Sequence, residues 1–247
     1  MKAMIFAAGL GTRLKPLTDT MPKALVPLAG KPLLQWQVEQ LMAAGITDIV
    51  VNVHHFADMI IEEVQKNNGW GANISISDER DLLLDTGGGV KKVVNAQCTM
   101  HGEPLLVCNV DILSTIDLHD LLQQATRNGG LGTLVVSDRK TQRYLCFDGQ
   151  KRLCGWTNIA TGELKGQDGQ HLAYSGMAVL QPELYPCFGA VAEEKGAKFG
   201  LMDVYLYAMK KGTLRAYVPT DYRMMDVGKI EQIAEAERFA MEISGQG

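Results

Sequence analysis

Short apolar segments alternate with helix-forming segments along the first half of the sequence, and this alternation constrains the fold more than any other feature. Strands are predicted at residues 3–8, 48–53, 73–77, 104–109 and 132–137. Helices with apolar residues at helical spacing are predicted at residues 33–44, 58–65, 89–95 and 118–128. Because parallel strands need long crossover connections, this order predicts a mostly parallel sheet with helices on both faces.

The second half of the sequence has a different pattern. A hairpin is predicted over residues 144–153, with its turn at Asp148 and Gly149. Further strands are predicted at residues 172–180 and 214–218, and helices at residues 202–211 and 229–243. We therefore expect one α/β domain with a small added lobe that binds substrate.

Charge and cysteine content exclude several classes of partner. The 247 residues include 24 Lys and Arg against 28 Asp and Glu, a net charge of −4, which argues against a dedicated nucleic-acid or membrane binder. No apolar stretch approaches the roughly 18 residues of a transmembrane helix. Five cysteines, an odd number without a C-x-x-C pair, predict reduced thiols and a cytoplasmic protein. The five histidines show no metal-ligand spacing.

A glycine-rich loop follows the first predicted strand. It reads AAGLGTRLKPLT over residues 7–18, and MPK follows at residues 21–23. Small residues let backbone N–H groups approach an anion closely, and Arg13 and Lys23 add charge suited to phosphates. A G-x-G string alone is more typical of an ordinary tight turn than of a phosphate site. The dinucleotide-binding G-x-G-x-x-G fingerprint fails, because its third glycine would fall at Leu14.

Two aspartates have the chemistry of a magnesium site. Asp111 comes just after a predicted buried strand, and Asp226 follows Met224 and Met225. Mg²⁺ prefers hard oxygen ligands and is usually held by one or two carboxylates together with phosphate oxygens. The alternative interpretations are a carboxylate in a strand-end turn for Asp111 and a helix N-cap for Asp226.

The loop and several later strings together resemble the signature of the sugar-phosphate nucleotidyltransferases, also called nucleotide-sugar pyrophosphorylases. The matching later strings lie at residues 25–33, 45–49, 86–89, 175–176 and 226–228, and at the strand that ends in Asp111. The resemblance implies a Rossmann-like three-layer sandwich with a mixed, mostly parallel central sheet. It also implies a single domain over residues 1–247, with a nucleotide-binding half of about 1–130 and a sugar-binding half of about 131–247.

The resemblance also implies roles for individual residues. Arg13 would hold the β- and γ-phosphates, and Lys23 would lie against the α-phosphate, so these two are the expected catalytic residues. Asp111 and Asp226 would bind Mg²⁺ together. The residues expected to bind the nucleotide are Ala8, Gly9, Gly11, Thr12, Gly87 and Gly88.

The sequence departs from the family pattern around the sugar. Val110 fills a slot where many members have glycine, and the usual Glu-Lys-Pro string is missing, so Arg143, Lys165 and Lys198 remain open as its replacement. The residues expected to bind the sugar are Asn109, Ser175 and Gly176. Their alternative interpretation is a strand-end asparagine and a serine–glycine turn with local hydrogen bonds.

The expected reaction joins an NTP and a sugar 1-phosphate to give an NDP-sugar and pyrophosphate, for cell-wall or surface-glycan precursors. The compact length, the TGGG string at residues 86–89 and the missing Glu-Lys-Pro string most resemble the short uridylyltransferases for N-acetylmuramate 1-phosphate, with UTP slightly favoured over GTP. Alternatives are a guanylyltransferase for mannose or heptose 1-phosphate, a cytidylyltransferase for an alcohol phosphate, and a nucleotide-binding module without turnover. We expect a monomer or a small homo-oligomer.

Overall fold

A computed structural model describes residues 1–98 and 102–245 of the chain, and all of the predicted site residues lie within these ranges. The strands, in chain order, are β1 (Lys2–Phe6), β2 (Pro27–Leu28), β3 (Lys31–Pro32), β4 (Asp48–Val53), β5 (Asn73–Asp78), β6 (Leu105–Asn109), β7 (Ile112–Ser114), β8 (Gly132–Ser137), β9 (Arg143–Phe147), β10 (Leu153–Asn158), β11 (Glu163–Gly166), β12 (Gln170–Leu180), β13 (Leu214–Tyr217) and β14 (Met224–Asp226). The helices are α1 (Leu33–Ala43), α2 (Ala57–Lys66), α3 (Asp85–Val93), α4 (Leu118–Asn128), α5 (Tyr185–Lys195), α6 (Leu201–Ala208) and α7 (Ile233–Ser244).

The chain divides into two compact units, each assembled from more than one segment. The first unit comprises Met1–Leu83, Cys108–Ile116 and the segment that begins at Arg223. The second unit comprises Leu84–Val107 and Asp117–Tyr222. The predicted division of the chain into two halves near residue 130 stays a prediction.

Parallel strands form the centre of the first unit. β1 pairs with β4 and β4 pairs with β5, both in parallel, with Ala3 beside Ile49 and Ile49 beside Ile74. The inner residues of β1 and nearly all of β4 are buried, as expected for apolar strands covered on both faces. The carboxyl ends of these strands therefore lie along one edge, where ligands bind in open α/β sheets.

Antiparallel strands predominate in the second unit. Its strand order is β11, β10, β9, β12, β8 and β13, and only the last pair is parallel. The register of β12 against β8 shifts between Tyr174 and Ala178. Helix α4 begins at an N-cap, Asp117, whose side chain accepts a hydrogen bond of 3.1 Å from the N–H of Asp120.

The predicted α/β class with a mixed sheet is confirmed, and the helix predicted at residues 118–128 is confirmed to the residue. Helix α3 starts at Asp85 rather than at residue 89, so three consecutive glycines lie inside it. Helix α5 was not predicted, because Pro186 and Gly189 interrupt its apolar spacing. Among the described residues, no helix combines the length and apolar character needed to cross a bilayer.

Candidate active site

The start of the glycine-rich loop is held by a buried asparagine of the neighbouring strand. Asn52 on β4 is 3% exposed, and its Oδ1 accepts hydrogen bonds from the N–H groups of Ala7, at 2.8 Å, and Ala8, at 3.3 Å. Its Nδ2 donates to Oε1 of Glu79, at 2.8 Å, and Glu79 is 2% exposed. The N–H of Ala8 is therefore directed toward Asn52, and its predicted contact with a nucleotide stays a prediction.

Gly11 lets the loop fold back onto its own later residues. Its φ is +63°, and a Cβ at this position would lie 2.9 Å from Cγ2 of Thr18 and 3.0 Å from Cβ of Lys23. The carbonyl of Gly11 accepts hydrogen bonds of 2.8 Å from the Thr18 hydroxyl and from the N–H of Leu14. A side chain at this position would push Lys23 away, so Gly11 is required by the fold of the loop.

Lys23 and Asp111 form an ion pair in the first unit. Lys23 lies in a 3₁₀ turn, and Asp111 lies in the turn between β6 and β7. The N–H of Val110 donates to the carbonyl of Phe6, at 3.3 Å, which ties this turn to the end of β1. The two charged side chains are 12% and 14% exposed. The structure thus brings together two of the predicted site residues.

A short antiparallel ladder places Asp226 beside Asp111. Asp226 ends β14 and lies opposite Ile112 of β7, and the N–H of Val227 donates to the carbonyl of Asp111, at 2.8 Å. The N-cap alternative for Asp226 is wrong, because the residue ends a strand and the next helical turn begins at Ile230.

Burial and nearby charges shift the pKa of the Asp226 carboxyl. Burial raises its pKa, and repulsion from Asp111 raises it further, while Lys23 and Arg13 act in the opposite direction. Its Oδ1 is buried and has no hydrogen-bond partner among the described residues. An unsatisfied buried carboxylate oxygen is costly unless a cation or donor meets it. Two adjacent carboxylates, one with such an oxygen, fit the hard-oxygen ligand set that Mg²⁺ prefers.

Gly228 marks a close approach between Asp226 and Arg13 that the sequence analysis missed. A Cβ at Gly228 would lie 2.6 Å from Oδ1 of Asp226 and 2.8 Å from Nη2 of Arg13. No side chain can occupy that space without displacing one of the two charged groups. In the sequence, this glycine comes two positions after Asp226, which was its only indication. The structure shows that it leaves room for the side chains of Asp226 and Arg13.

The predicted glycines of α3 make packing contacts within the second unit. The N–H groups of Gly87 and Gly88 donate to the carbonyl of Phe199, at 2.9 and 3.1 Å. A Cβ would lie 2.6 Å from Cδ2 of Phe199 at Gly87, and 2.4 Å from the carbonyl oxygen of Ala197 at Gly88. These contacts explain why both residues are glycine, and their role in nucleotide binding stays a prediction.

The predicted sugar residues differ in their surroundings. Ser175 on β12 is 1% exposed, and its hydroxyl finds no partner in the described part of the chain. Gly176 has a φ of +72° at the register shift of β12. Asn109 belongs to the first unit and ends β6, half-buried. Lys165, one of the basic residues left open, pairs with Glu163 at 3.2 Å.

The sequence is similar to those of known nucleotidyltransferases. Residues 2–153 match the nucleotidyl transferase family. The chain is 31% identical over 243 residues to N-acetylmuramate alpha-1-phosphate uridylyltransferase of Neisseria meningitidis, a match that covers 97% of this chain and 98% of that protein. It is 36% identical over 138 residues to mannose-1-phosphate guanyltransferase beta-B of Xenopus laevis, covering 56% of this chain and 38% of that protein.

The fold also matches solved structures. A UDP-glucose pyrophosphorylase complexed with UDP-glucose superposes with a TM-score of 0.77 at 18% identity, covering 98% of each chain. This likeness confirms the predicted Rossmann-like α/β fold with its mixed central sheet.

Proposed function

Because this chain belongs to the nucleotidyl transferase family, we propose that it transfers a nucleotidyl group from an NTP to a sugar 1-phosphate and releases pyrophosphate. UTP is the favoured donor and N-acetylmuramate 1-phosphate the favoured acceptor, since the uridylyltransferase from Neisseria meningitidis matches along 97% of this chain. The observation that carries the proposal is the meeting of Asp111, Asp226, Lys23 and Arg13 in the first unit, where one carboxylate oxygen has no partner among the described residues.

The proposed reaction does not require a side chain to transfer a proton. A phosphate oxygen of the sugar 1-phosphate attacks the α-phosphorus of the NTP and forms the new P–O bond. The bond between the α-phosphorus and the bridging oxygen breaks, and that oxygen leaves with pyrophosphate. The attacking phosphate is already anionic near neutral pH, so no side chain has to act as a base. Catalysis then rests on positioning and on compensation of negative charge.

The two carboxylates are the proposed magnesium ligands. Asp111 and Asp226 would hold Mg²⁺, which supplies concentrated positive charge to the phosphate oxygens when bound. Lys23 forms an ion pair with Asp111. Lys23 would donate to an α-phosphate oxygen as charge develops there. Arg13, beside Asp226, donates its planar pair of N–H groups to the departing pyrophosphate.

Gly9 supports the placement of the nucleotide at this loop. A Cβ on Gly9 would have no atom of the described residues within 4 Å, and its φ is not positive. Neither packing nor backbone conformation therefore requires glycine at this position, in contrast to Gly11. The open side of Gly9 leaves space for a ligand to lie directly against the main chain. Thr12, at the start of the next 3₁₀ turn, is proposed as a neighbouring contact.

A substrate matrix tests the proposal and its alternatives. Purified protein with Mg²⁺ is given UTP, GTP, CTP or ATP together with N-acetylmuramate 1-phosphate, mannose 1-phosphate, heptose 1-phosphate or choline phosphate. Pyrophosphate release is measured, with Asp111→Asn as the matched background control. We expect the fastest release with UTP and N-acetylmuramate 1-phosphate. Fastest release with GTP and mannose or heptose 1-phosphate would favour the guanylyltransferase suggested by the partial match to the Xenopus protein. If no pair of substrates gives pyrophosphate release, the protein is a nucleotide-binding module without turnover.

The state of the cysteines and the net charge support proposals about cellular location and partners. Cys108, Cys146 and Cys187 are buried thiols, Cys154 is a half-buried thiol, and the side chain of Cys98 lies outside the described residues. Thiols without disulfides support a cytoplasmic location. The net charge of −4 supports the absence of a nucleic-acid partner. A monomer or small homo-oligomer is kept as the expected state, which sedimentation or scattering would measure.

A further inference from the structure

A second group of ligand-type side chains lies in the second unit. Cys146 on β9 is the antiparallel partner of His171 on β12, so their side chains share one face of the sheet. Asp168 lies in the connection between β11 and β12. The Sγ of Cys146, a ring nitrogen of His171 and a carboxylate oxygen of Asp168 all lie within 4.8 Å of one another.

The distances among the three ligand atoms suit a single cation. Nε2 of His171 lies 2.7 Å from Oδ1 of Asp168, and Sγ of Cys146 lies 3.8 Å from the same oxygen. Ligand atoms about 2.0–2.3 Å from a tetrahedral zinc ion lie roughly 3.4 Å apart, between these two values. Small side-chain rotations are therefore enough to place all three atoms around one ion.

The surrounding residues hold these side chains in place. The N–H of Gly169 donates to Oδ1 of Asp168, at 2.9 Å, and the ring of Tyr144 stacks on His171 with centroids 5.6 Å apart. A Cβ on Gly169 would lie 2.4 Å from the carbonyl oxygen of Phe147, so the connection lies directly against β9. Orientation by outer contacts of this kind is typical of metal ligands.

A second thiol adjoins the group. Cys154 occurs where the register of β10 shifts against β9. Its Sγ lies 3.3 Å from the carbonyl oxygen of Cys146 and 3.9 Å from that of Asp168. The Cys154 sulfur thus contacts the main chain next to the group and lies outside the set of three ligand atoms.

The same residue types occur in cysteine hydrolases, but this arrangement does not suit a nucleophile. The Cys146 side chain is fully buried, so a substrate carbonyl has no path to its sulfur. In addition, both Cys146 and His171 contact the carboxylate of Asp168, whereas a triad needs the histidine between the other two.

We propose that Cys146, Asp168 and His171 form a binding site for a zinc-type divalent cation, with water completing the coordination. Thiolate and imidazole ligands select zinc over Mg²⁺, which prefers oxygen donors. Binding is a ligand exchange without oxidation: the coordinating thiol releases its proton to water as the metal–sulfur bond forms. The side chains of Asp168 and His171 are 67% and 38% exposed, so the cation reaches the site from solvent.

The site would act as a brace between strands. It would join β9, the start of β12 and the connection that precedes β12, which are otherwise linked by main-chain hydrogen bonds and sheet packing. A cation that binds the folded state alone raises stability by mass action. This inference concerns only the second unit and does not depend on the proposed reaction.

Cobalt titration of the whole chain tests the site. The protein is stripped with EDTA, returned to buffer with excess Mg²⁺ to occupy the carboxylates of the first unit, and titrated with Co²⁺. We expect one equivalent to bind with a thiolate-to-cobalt charge-transfer band in the near ultraviolet, and Zn²⁺ to displace it. His171→Ala and Asp168→Asn, at exposed positions, should each weaken binding at least about 10-fold, and Cys146→Ser should remove most of the band.

Matched variants provide the controls. Cys187→Ser changes a buried thiol elsewhere in the unit, and His119→Ala changes a histidine of α4; both should keep the band and the affinity. Cys154→Ser removes a neighbouring thiol outside the group of three ligand atoms, and it should keep most of the band and the affinity. Absence of a thiolate band in the wild-type protein, or its persistence in both Cys146→Ser and His171→Ala, overturns the proposal.

Discussion

Lys23 and Asp111 lie 88 positions apart in the sequence, yet their side chains form an ion pair that is almost closed to solvent. Asp111 in turn lies next to Asp226, whose raised pKa reflects burial and this second carboxylate. The site therefore holds two negative charges and the cations that offset them before any ligand arrives. Each charge can be removed separately, and the expected effects differ.

Removal of Asp111 should abolish metal-dependent turnover while leaving the fold intact. We expect Asp111→Ala to lower pyrophosphate release at least about 100-fold, the scale of losing one charge-stabilising group. Its melting temperature should stay near that of the wild type, because loss of the Lys23 ion pair is offset by relief of repulsion with Asp226. Calorimetry and the release assay measure both. Full activity of this variant, or of the wild type in excess EDTA, would contradict the magnesium assignment.

Arg13→Ala and Lys23→Ala should impair the enzyme in different ways. Arg13 is proposed to hold the departing pyrophosphate, so its loss should raise the KM for NTP and lower kcat. Lys23 is proposed to act as charge develops at the α-phosphate, so its loss should fall mainly on kcat. Steady-state kinetics with each substrate varied in turn measure the split. If both variants change only the KM for NTP, Lys23 is a binding residue.

Asp226→Asn should stabilise the metal-free protein while removing activity. The pKa of Asp226 is raised in the folded state, so between its ordinary pKa and the raised value the folded chain binds more protons than the unfolded chain. Stability due to this group therefore falls as pH rises through that window and stays reduced above it. The variant should melt higher than the wild type at pH 7 in EDTA, with a smaller difference below pH of about 4.

A neighbouring exposed carboxyl gives the control for that comparison. Glu231→Gln removes one negative charge near the same strand end without entering the site. It should leave both the melting temperature and the activity close to wild type. Equal stabilisation by the two variants would mean that overall charge, rather than the surroundings of Asp226, sets the effect.

Gly228→Ala tests the close approach of Asp226 and Arg13. The new methyl group would lie within 3 Å of both charged groups, so at least one of them must move. We expect at least about a 10-fold loss of kcat, since small misplacements at a reacting centre are costly. Gly189→Ala, at a helical glycine with no described atom near its Cβ direction, is the control and should keep full activity. Wild-type kinetics in Gly228→Ala would show that this approach does not matter for turnover.

Substitution of Ser175, whose buried hydroxyl has no partner among the described residues, tests the proposed sugar contact. We expect Ser175→Ala and Asn109→Ala to raise the KM for the sugar 1-phosphate and to leave that for NTP unchanged, since an unpaired polar group costs about 1–3 kcal/mol. Thr133→Val is the matched control, because its hydroxyl is also buried and has no partner within the described ranges. Equal changes for both substrates, or none, would place the sugar contacts at other residues.

The charged residues of the candidate site could be named from the sequence, because two follow a glycine-rich loop motif and two come at strand ends. Arg13, Lys23, Asp111 and Asp226 were named from the sequence, and the first unit gathers them. Contacts that depend on pairing between distant strands were not predictable. Cys146 and His171 have no metal-ligand spacing, yet antiparallel pairing sets them opposite each other.

Short strands and interrupted helices could not be predicted from the periodicity of apolar residues either. β7 and β14 have three residues each, too few to show a period, although together they place Asp226 beside Asp111. Helix α5 carries Pro186 and Gly189, and its burial depends on tertiary packing rather than propensity. The roles of Gly11 and Gly228 could be understood only once their neighbouring side chains were known.

The bond between Asn52 and the first loop residues has a consequence for binding thermodynamics. The main chain at Ala7 and Ala8 is fixed by an amide of the sheet, and that amide is itself oriented by the carboxylate of Glu79. A ligand that reaches Gly9 thus meets a segment whose entry direction is set in advance, so little conformational entropy is lost there on association. The binding free energy at Gly9 then comes mainly from the contacts with the ligand, because the loop loses little conformational entropy when it binds.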